Sequence, residues 1–151
     1  MSESTSIDTT RHADRALRLR WPVAIAIVLF AVSYPANDFA TASTASDIGL
    51  GMFLVYAGIA AVTVGVVFAW LLTRALQQDS SGRIALALAI LGTLTAPGFW
   101  TGIPPGLAAG GALLGWAGIY ATTGRRLSQA AFGIGVVGVL FNIESYADVF
   151  I

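Results

Sequence analysis

The sequence predicts an all-α fold, a polytopic membrane helix bundle of five transmembrane helices, and three observations point there. Residues Ile48 to Leu72 run for 25 positions without a charge. A helix of that length rises roughly 37 Å, enough to cross a hydrocarbon core of about 30 Å with some tilt. Hydrophobic residues make up 56% of the 151-residue chain and charged ones only 11%. A soluble domain carries about 25% charged residues, so none is expected here. The third observation is the placement of arginine. All eight basic side chains are arginine, and they fall in three clusters: Arg11, Arg15, Arg18 and Arg20; Arg74 and Arg83; Arg125 and Arg126. Short loops rich in arginine stay in the cytoplasm. With all three clusters inside, the chain crosses an even number of times between them. Two apolar stretches lie in 21–73, two in 84–124 and one in 127–151, which agrees with that rule. The expected topology is multi-pass in a cell membrane, N-terminus cytoplasmic and C-terminus outside.

Residues 1–20 read as a cytoplasmic arginine-rich tail and 21–151 as the transmembrane bundle. Four arginines near anionic lipid gain roughly 1 kcal/mol each, which anchors the tail without a specific ligand. The tail is expected to be disordered, the alternative being a short surface helix. The first span covers about 21–36. Pro22 suits the first helical turn, and Pro35 is expected to end or kink the helix. A competing reading takes Arg-rich tail, short apolar run and Ala40-Thr41-Ala42 as a secretory signal, which would leave four spans. The retained span is favoured, because the tail is long for a signal. The loop 37–47 is small, polar and outside.

The second span, about 48–73, carries Gly51, Gly58 and Gly65 every seven residues, with Ala57 and Ala61 nearby. Helices in a bilayer associate through close packing, so small residues mark faces where backbones approach. This helix is therefore expected at the centre of the bundle. The third span, about 84–100, meets Pro97-Gly98. The fourth, about 105–122, opens at Pro104-Pro105 and holds two GxxxG patterns, Gly106/Gly110 and Gly111/Gly115. These seven glycines are the expected helix-packing residues. Both spans are short, so a re-entrant hairpin over 84–122 is the alternative to a plain pair. The fifth span covers about 127–147. Tryptophan and tyrosine fall where two interfacial belts are expected, with Trp21, Trp70, Trp116 and Tyr120 inside and Tyr34, Trp100 and Tyr146 outside.

Composition excludes much chemistry. There is no cysteine, so disulfides, thiolate metal sites and thiol nucleophiles are absent, and the one histidine, His12, is in the tail. No metal or cofactor motif is present and none is expected to bind. Gly133, Gly135 and Gly138 match GxGxxG, but a dinucleotide site needs that motif between a strand and a helix. Here it reads as helix packing. Net charge is zero, and nucleic acid is not an expected partner. Abundant Ala, Gly and Val with arginine as the only cation suggest a bacterial, GC-rich genome.

One polar constellation stands out. Asn37, Asp38 and Asp47 flank the first outside loop, and Asn142, Glu144 and Asp148 close the last span. Asp38, Glu144 and Asp148 would form an outer cation-attracting cluster. The mid-span hydroxyls Thr63, Thr93 and Thr95 are the other transport candidates, although such groups commonly bond back to their own helix. The expected function is a non-enzymatic accessory or structural subunit, associating through glycine-rich faces with another membrane protein or a second copy of itself. The alternative is a small transporter or channel with an acidic mouth.

Overall fold

The computed structural model describes residues 3–41, 47–76, 81–120 and 124–150. These residues are all helical apart from short turns, and three helices are long and apolar enough to cross a membrane: Ala13–Ser33, Gly51–Leu76 and Arg125–Ala147. In chain order the elements are α1 (Glu3–Thr41), α2 (Asp47–Val64), a π-helical stretch (Gly65–Leu71), α3 (Leu72–Leu76), α4 (Ser81–Leu94), a 3-10 segment (Ala96–Thr101), α5 (Ile103–Gly118) and α6 (Arg125–Phe150).

The architecture is a tight three-helix cluster, α4, α5 and α6, with the layer of α1 and α2 laid over it. Small residues draw the cluster together. A Cβ added to Gly92 would lie 2.3 Å from the Ala108 backbone nitrogen, and one on Gly111 2.5 Å from that of Ala89. Those two contacts pair residues in opposite order along α4 and α5, so the two helices are antiparallel. On the other side, a Cβ on Gly115 would meet the Phe132 nitrogen at 2.5 Å, and one on Gly135 the Ala112 nitrogen at 2.7 Å. That pairing runs α5 antiparallel to α6. It follows that α4 and α6 are parallel, and they touch directly: Gly82 lies against Ser128, and Thr93 against Gly138.

The centre of the bundle is therefore α5, not the second span. Among its residues Ala108, Gly110, Gly111, Leu114, Gly115 and Ala117 are buried. By contrast α2 packs mainly on α1, with a smaller contact to α5. The sequence signal for centrality misleads because a glycine stripe reports only that a face can be approached, not which neighbour approaches it.

Two further expectations change. The tail and first span form one helix of 39 residues. Its arginine-bearing part is not separate from the bundle, since Ala16 is fully buried in the core cluster with Leu72 and Ala75. Pro22 and Pro35 both lie inside this helix instead of marking its start and end. Proline interrupts one backbone bond, a loss that neighbouring helices make tolerable in a membrane bundle. The second change is the end of the third span. It stops at Leu94 and passes into the 3-10 segment rather than running to Trp100 as one helix. Gly98 there is non-helical. Gly102 follows with φ of 72°, and a Cβ on it would strike Ala60 and Ala31. Only glycine fits both the left-handed backbone and the close approach of α1 and α2. Thr101 Oγ1 accepts from the Ile103 N–H at 3.3 Å, and Pro104 occupies the first turn of α5, where a missing N–H costs nothing.

These contacts set opposite signs for two glycine substitutions. Gly111→Ala drives a methyl into the α4 backbone and should cost about 1–3 kcal/mol. Gly51→Ala meets nothing among the described residues within 4 Å. It should be neutral or stabilise by up to about 1 kcal/mol, the helix-propensity gain. Reversible unfolding of the purified variants in mixed micelles checks both, and equal effects would contradict the packing.

Candidate functional site

Arg20 anchors α1 to the second long apolar helix. Its Nη1 donates to Thr73 Oγ1 at 2.7 Å, and that hydroxyl donates to the Ala69 carbonyl at 3.0 Å. The guanidinium also lies 5.2 Å from the Trp21 ring, and Arg74 sits 5.7 Å from that of Trp70. Arginine stacked on an interfacial tryptophan fits the edge of a bilayer. This arrangement ties α1 to Thr73 at the start of α3, and through it to Ala69 in the π-helical stretch.

Two apolar grooves follow from the layer of α1 and α2. The first lies between α1 and α6, floored by Pro105, Ala109, Ala112 and Trp116 of α5. Two cavities of about 390 and 280 Å³ make it up, and they share Val23, Ala109 and Val139. At one end of the groove the side chain of Tyr146 bridges α6 to α1. Its ring stacks on Phe30 at 4.3 Å between centroids, and its hydroxyl hydrogen-bonds Ser33. One turn before Tyr146, Asn142 is fully buried and lines the wall. Its Nδ2 donates to the Gly138 carbonyl at 2.7 Å. Its Oδ1 is buried without a hydrogen-bond partner among the described residues.

The second groove, about 290 Å³, lies between α1 and α2 and is lined by Trp21, Ile25, Leu29, Ala61, Val64 and Gly65. Along α2 the same face continues through Gly58 and Gly51, because 51, 54, 58, 61 and 65 share the three-and-four spacing of one helical stripe. A Cβ on Gly51, Gly58 or Gly65 would meet nothing within 4 Å among the described residues. Trp21, Ile25 and Leu29 stand exposed beside it.

The candidate glycines thus divide into two groups. Gly110 and Gly111 face Val67 and Ala89, Gly115 faces Phe132, and Gly106 lies in ordinary contact with Thr63 and Val64. Gly51, Gly58 and Gly65 have no such neighbour among the described residues. Of the GxGxxG glycines, Gly135 and Gly138 pack on α5 and α4, while Gly133 faces outward.

The expected acidic mouth is only partly described. Glu144 is exposed on α6. Asp38 lies within α1 and Asp148 within α6, but the side chains of both, with those of Asn37 and Asp47, fall outside the described residues. Among the described residues no group of three or more His, Asp or Glu side chains comes together. Thr93 bonds the Ala89 carbonyl at 2.9 Å and reaches the Ile134 carbonyl on α6 at 3.4 Å. Thr95 bonds back to Leu91 at 2.6 Å. Thr63 is half-buried. No family model, curated protein or solved structure matches this chain.

The burial of Asn142 was the feature missed. Its signal was available, since Ser128, Ala131, Gly135, Gly138 and Asn142 form one small or polar stripe at spacings of three and four. Leaving a buried carbonyl oxygen unpaired costs about 1–3 kcal/mol, whereas an apolar side chain of similar size leaves nothing unsatisfied. Asn142→Leu should therefore stabilise the detergent-solubilised protein by about 1 kcal/mol in thermal or denaturant unfolding. A loss of stability would mean that Oδ1 has a partner within the chain.

Proposed function

We propose that this chain is a small multi-pass subunit of a membrane assembly, non-catalytic, which docks a further membrane helix along the open glycine face of α2. That helix belongs to another membrane protein or to a second copy of this chain. The observation that carries the reading is the stripe Gly51, Gly58, Ala61 and Gly65. Among the described residues nothing fills the space over its glycines, and the exposed ridge of Trp21, Ile25 and Leu29 borders it. In lipid there is no water to expel, so a helix settles where small residues let backbones approach and dispersion contacts accumulate. The buried glycines of α4, α5 and α6 are already engaged, which leaves α2 as the associating element.

In this reading the chain crosses five times, with the N-terminus inside and the C-terminus outside. The short α4 and α5 count as spans because both accompany α6 from Ser128 to Gly138, about 15 Å of its axis. Shielding of α5 by its neighbours relaxes the need for a full apolar length. The arginine clusters supply the orientation.

The test is association in a mild detergent or in lipid nanodiscs, read by native mass spectrometry. Gly58→Leu and Gly51→Leu should fold as the parent does, because their side chains meet open space. Each should weaken association with the copurifying partner, or of the homo-oligomer, at least tenfold. Assembly unchanged in both variants would overturn the proposal.

A further inference from the structure

We propose that the α1–α6 groove holds an acyl chain of an anionic phospholipid whose phosphate is bound between Arg15 and Arg125. The apolar groove alone would accept any chain; the charge at one end of it selects the lipid. The two walls run parallel. Leu19 and Phe132 line one end, Phe30 and Ile143 the other, and Ser33 bonds Tyr146, so residues 113 apart in sequence stand level. On α1 the lining residues Val23 and Leu19 lead, one turn back on the same stripe, to Arg15. On α6 Val136 and Phe132 lead back through Gln129 to Arg125. By the same offset Arg15 is level with Ser128, about 5 Å along the axis from Arg125. Both arginines are exposed.

Charge complementarity names the occupant and its orientation. Neither Arg15 nor Arg125 makes an ion pair or hydrogen bond among the described residues. The acid described at this end, Asp14, lies on the stripe of Arg18 and Trp21 instead. The bond from Arg20 to Thr73 brings Arg74 to the same end, and the approach of Gly82 to Gly124 brings Arg83. At the opposite end Glu144 is exposed, and no basic residue is described there. A lipid with a net negative head therefore lies one way only, its phosphate at the arginines and its tail towards Tyr146. A zwitterionic head gains less, because its own ammonium opposes the arginines. The groove follows α6 from Phe132 to Ile143, about 16 Å, close to half of a hydrocarbon core of about 30 Å. That length suits an acyl chain of one leaflet. The Tyr146 bridge joins α1 to α6, so a helix cannot lie along the full length between them. The inference needs only that α1 and α6 cross the bilayer, which their length and apolarity allow.

Native mass spectrometry of the full chain in a non-ionic detergent, titrated with palmitoyl-oleoyl phosphatidylglycerol or phosphatidylcholine, tests this directly. The parent should bind one phosphatidylglycerol about tenfold more tightly than phosphatidylcholine, a ratio within what two interfacial arginines supply. Arg15→Gln/Arg125→Gln should bind the two lipids equally. Arg18→Gln/Arg126→Gln removes the same charge from the neighbouring stripes and should keep the preference. Val136→Trp, which fills the groove from its exposed wall, should weaken binding of both lipids. Glycerol phosphate, which has the phosphate without a tail, should displace neither. Equal affinity of the parent for both lipids, equal losses in the two double variants, unchanged phosphatidylglycerol binding in Val136→Trp, or displacement by glycerol phosphate would each overturn the inference. The association face on α2 is not involved, so an intact assembly with no phosphatidylglycerol preference would refute this site alone.

Discussion

Backbone-to-backbone contact between helices is the constraint on which this structure depends. A membrane bundle cannot be held by burying apolar surface from water, because lipid tails are as apolar as the core. It must instead gain more dispersion and weak Cα–H···O contact from helix neighbours than from lipid. Gly92 on Ala108, Gly111 on Ala89, Gly115 on Phe132 and Gly135 on Ala112 meet that requirement. Each removes a side chain where an amide nitrogen of the facing helix comes within contact distance, and at Gly111, Gly115 and Gly135 a carbonyl does so as well. The result is a cluster of α4, α5 and α6 in which a short helix, α5, is enclosed by its neighbours.

The outer layer follows from the inner one. Once α5 is engaged by α4 and α6, two of its faces remain. One takes α1, α2 and the π-helical stretch, through residues such as Val64 and Val67. The other, over Ala109 and Trp116, is the floor of the α1–α6 groove. Arg20 and Thr73 fasten the layer at one end, and Tyr146 fastens it to α6 at the other. Between those fastenings α1 stands off α6, and the groove with Asn142 is the consequence. The same layer presents the glycine stripe of α2, over which nothing lies among the described residues. A single arrangement of two outer helices therefore produces both the exposed glycine stripe of α2 and the apolar α1–α6 groove.

Much of the helical content was legible in the sequence, because uncharged runs and arginine clusters report directly on solvent preference. Ile48–Leu72 lies within α2, the π-helical stretch and α3, and the fifth apolar run lies within α6. Proline positions were less informative. Pro22 and Pro35 lie within α1, since neighbours can satisfy the backbone that proline frees, while Pro104 and Pro105 do open α5. The choice of central helix was not legible. Gly51, Gly58 and Gly65 form a more regular stripe than the glycines of α5, yet regularity carries no information about occupancy. For the candidate site, Asn142 was visible as a polar residue near the end of the last span. Its burial depended on tertiary register that the sequence expresses only through the weak stripe from Ser128.

The central claim is that α4, α5 and α6 form one close-packed cluster, and a disulfide tests it most directly. The chain has no cysteine, so pairs can be introduced without background. A Cβ on Gly138 would lie 3.5 Å from the Thr93 Cβ, within the span of a disulfide. The double variant Thr93→Cys/Gly138→Cys, oxidised with copper phenanthroline in native membranes, should form an intramolecular disulfide in most molecules. If both cysteines react with N-ethylmaleimide yet no disulfide forms, α4 and α6 are not neighbours, and the account of the cluster fails.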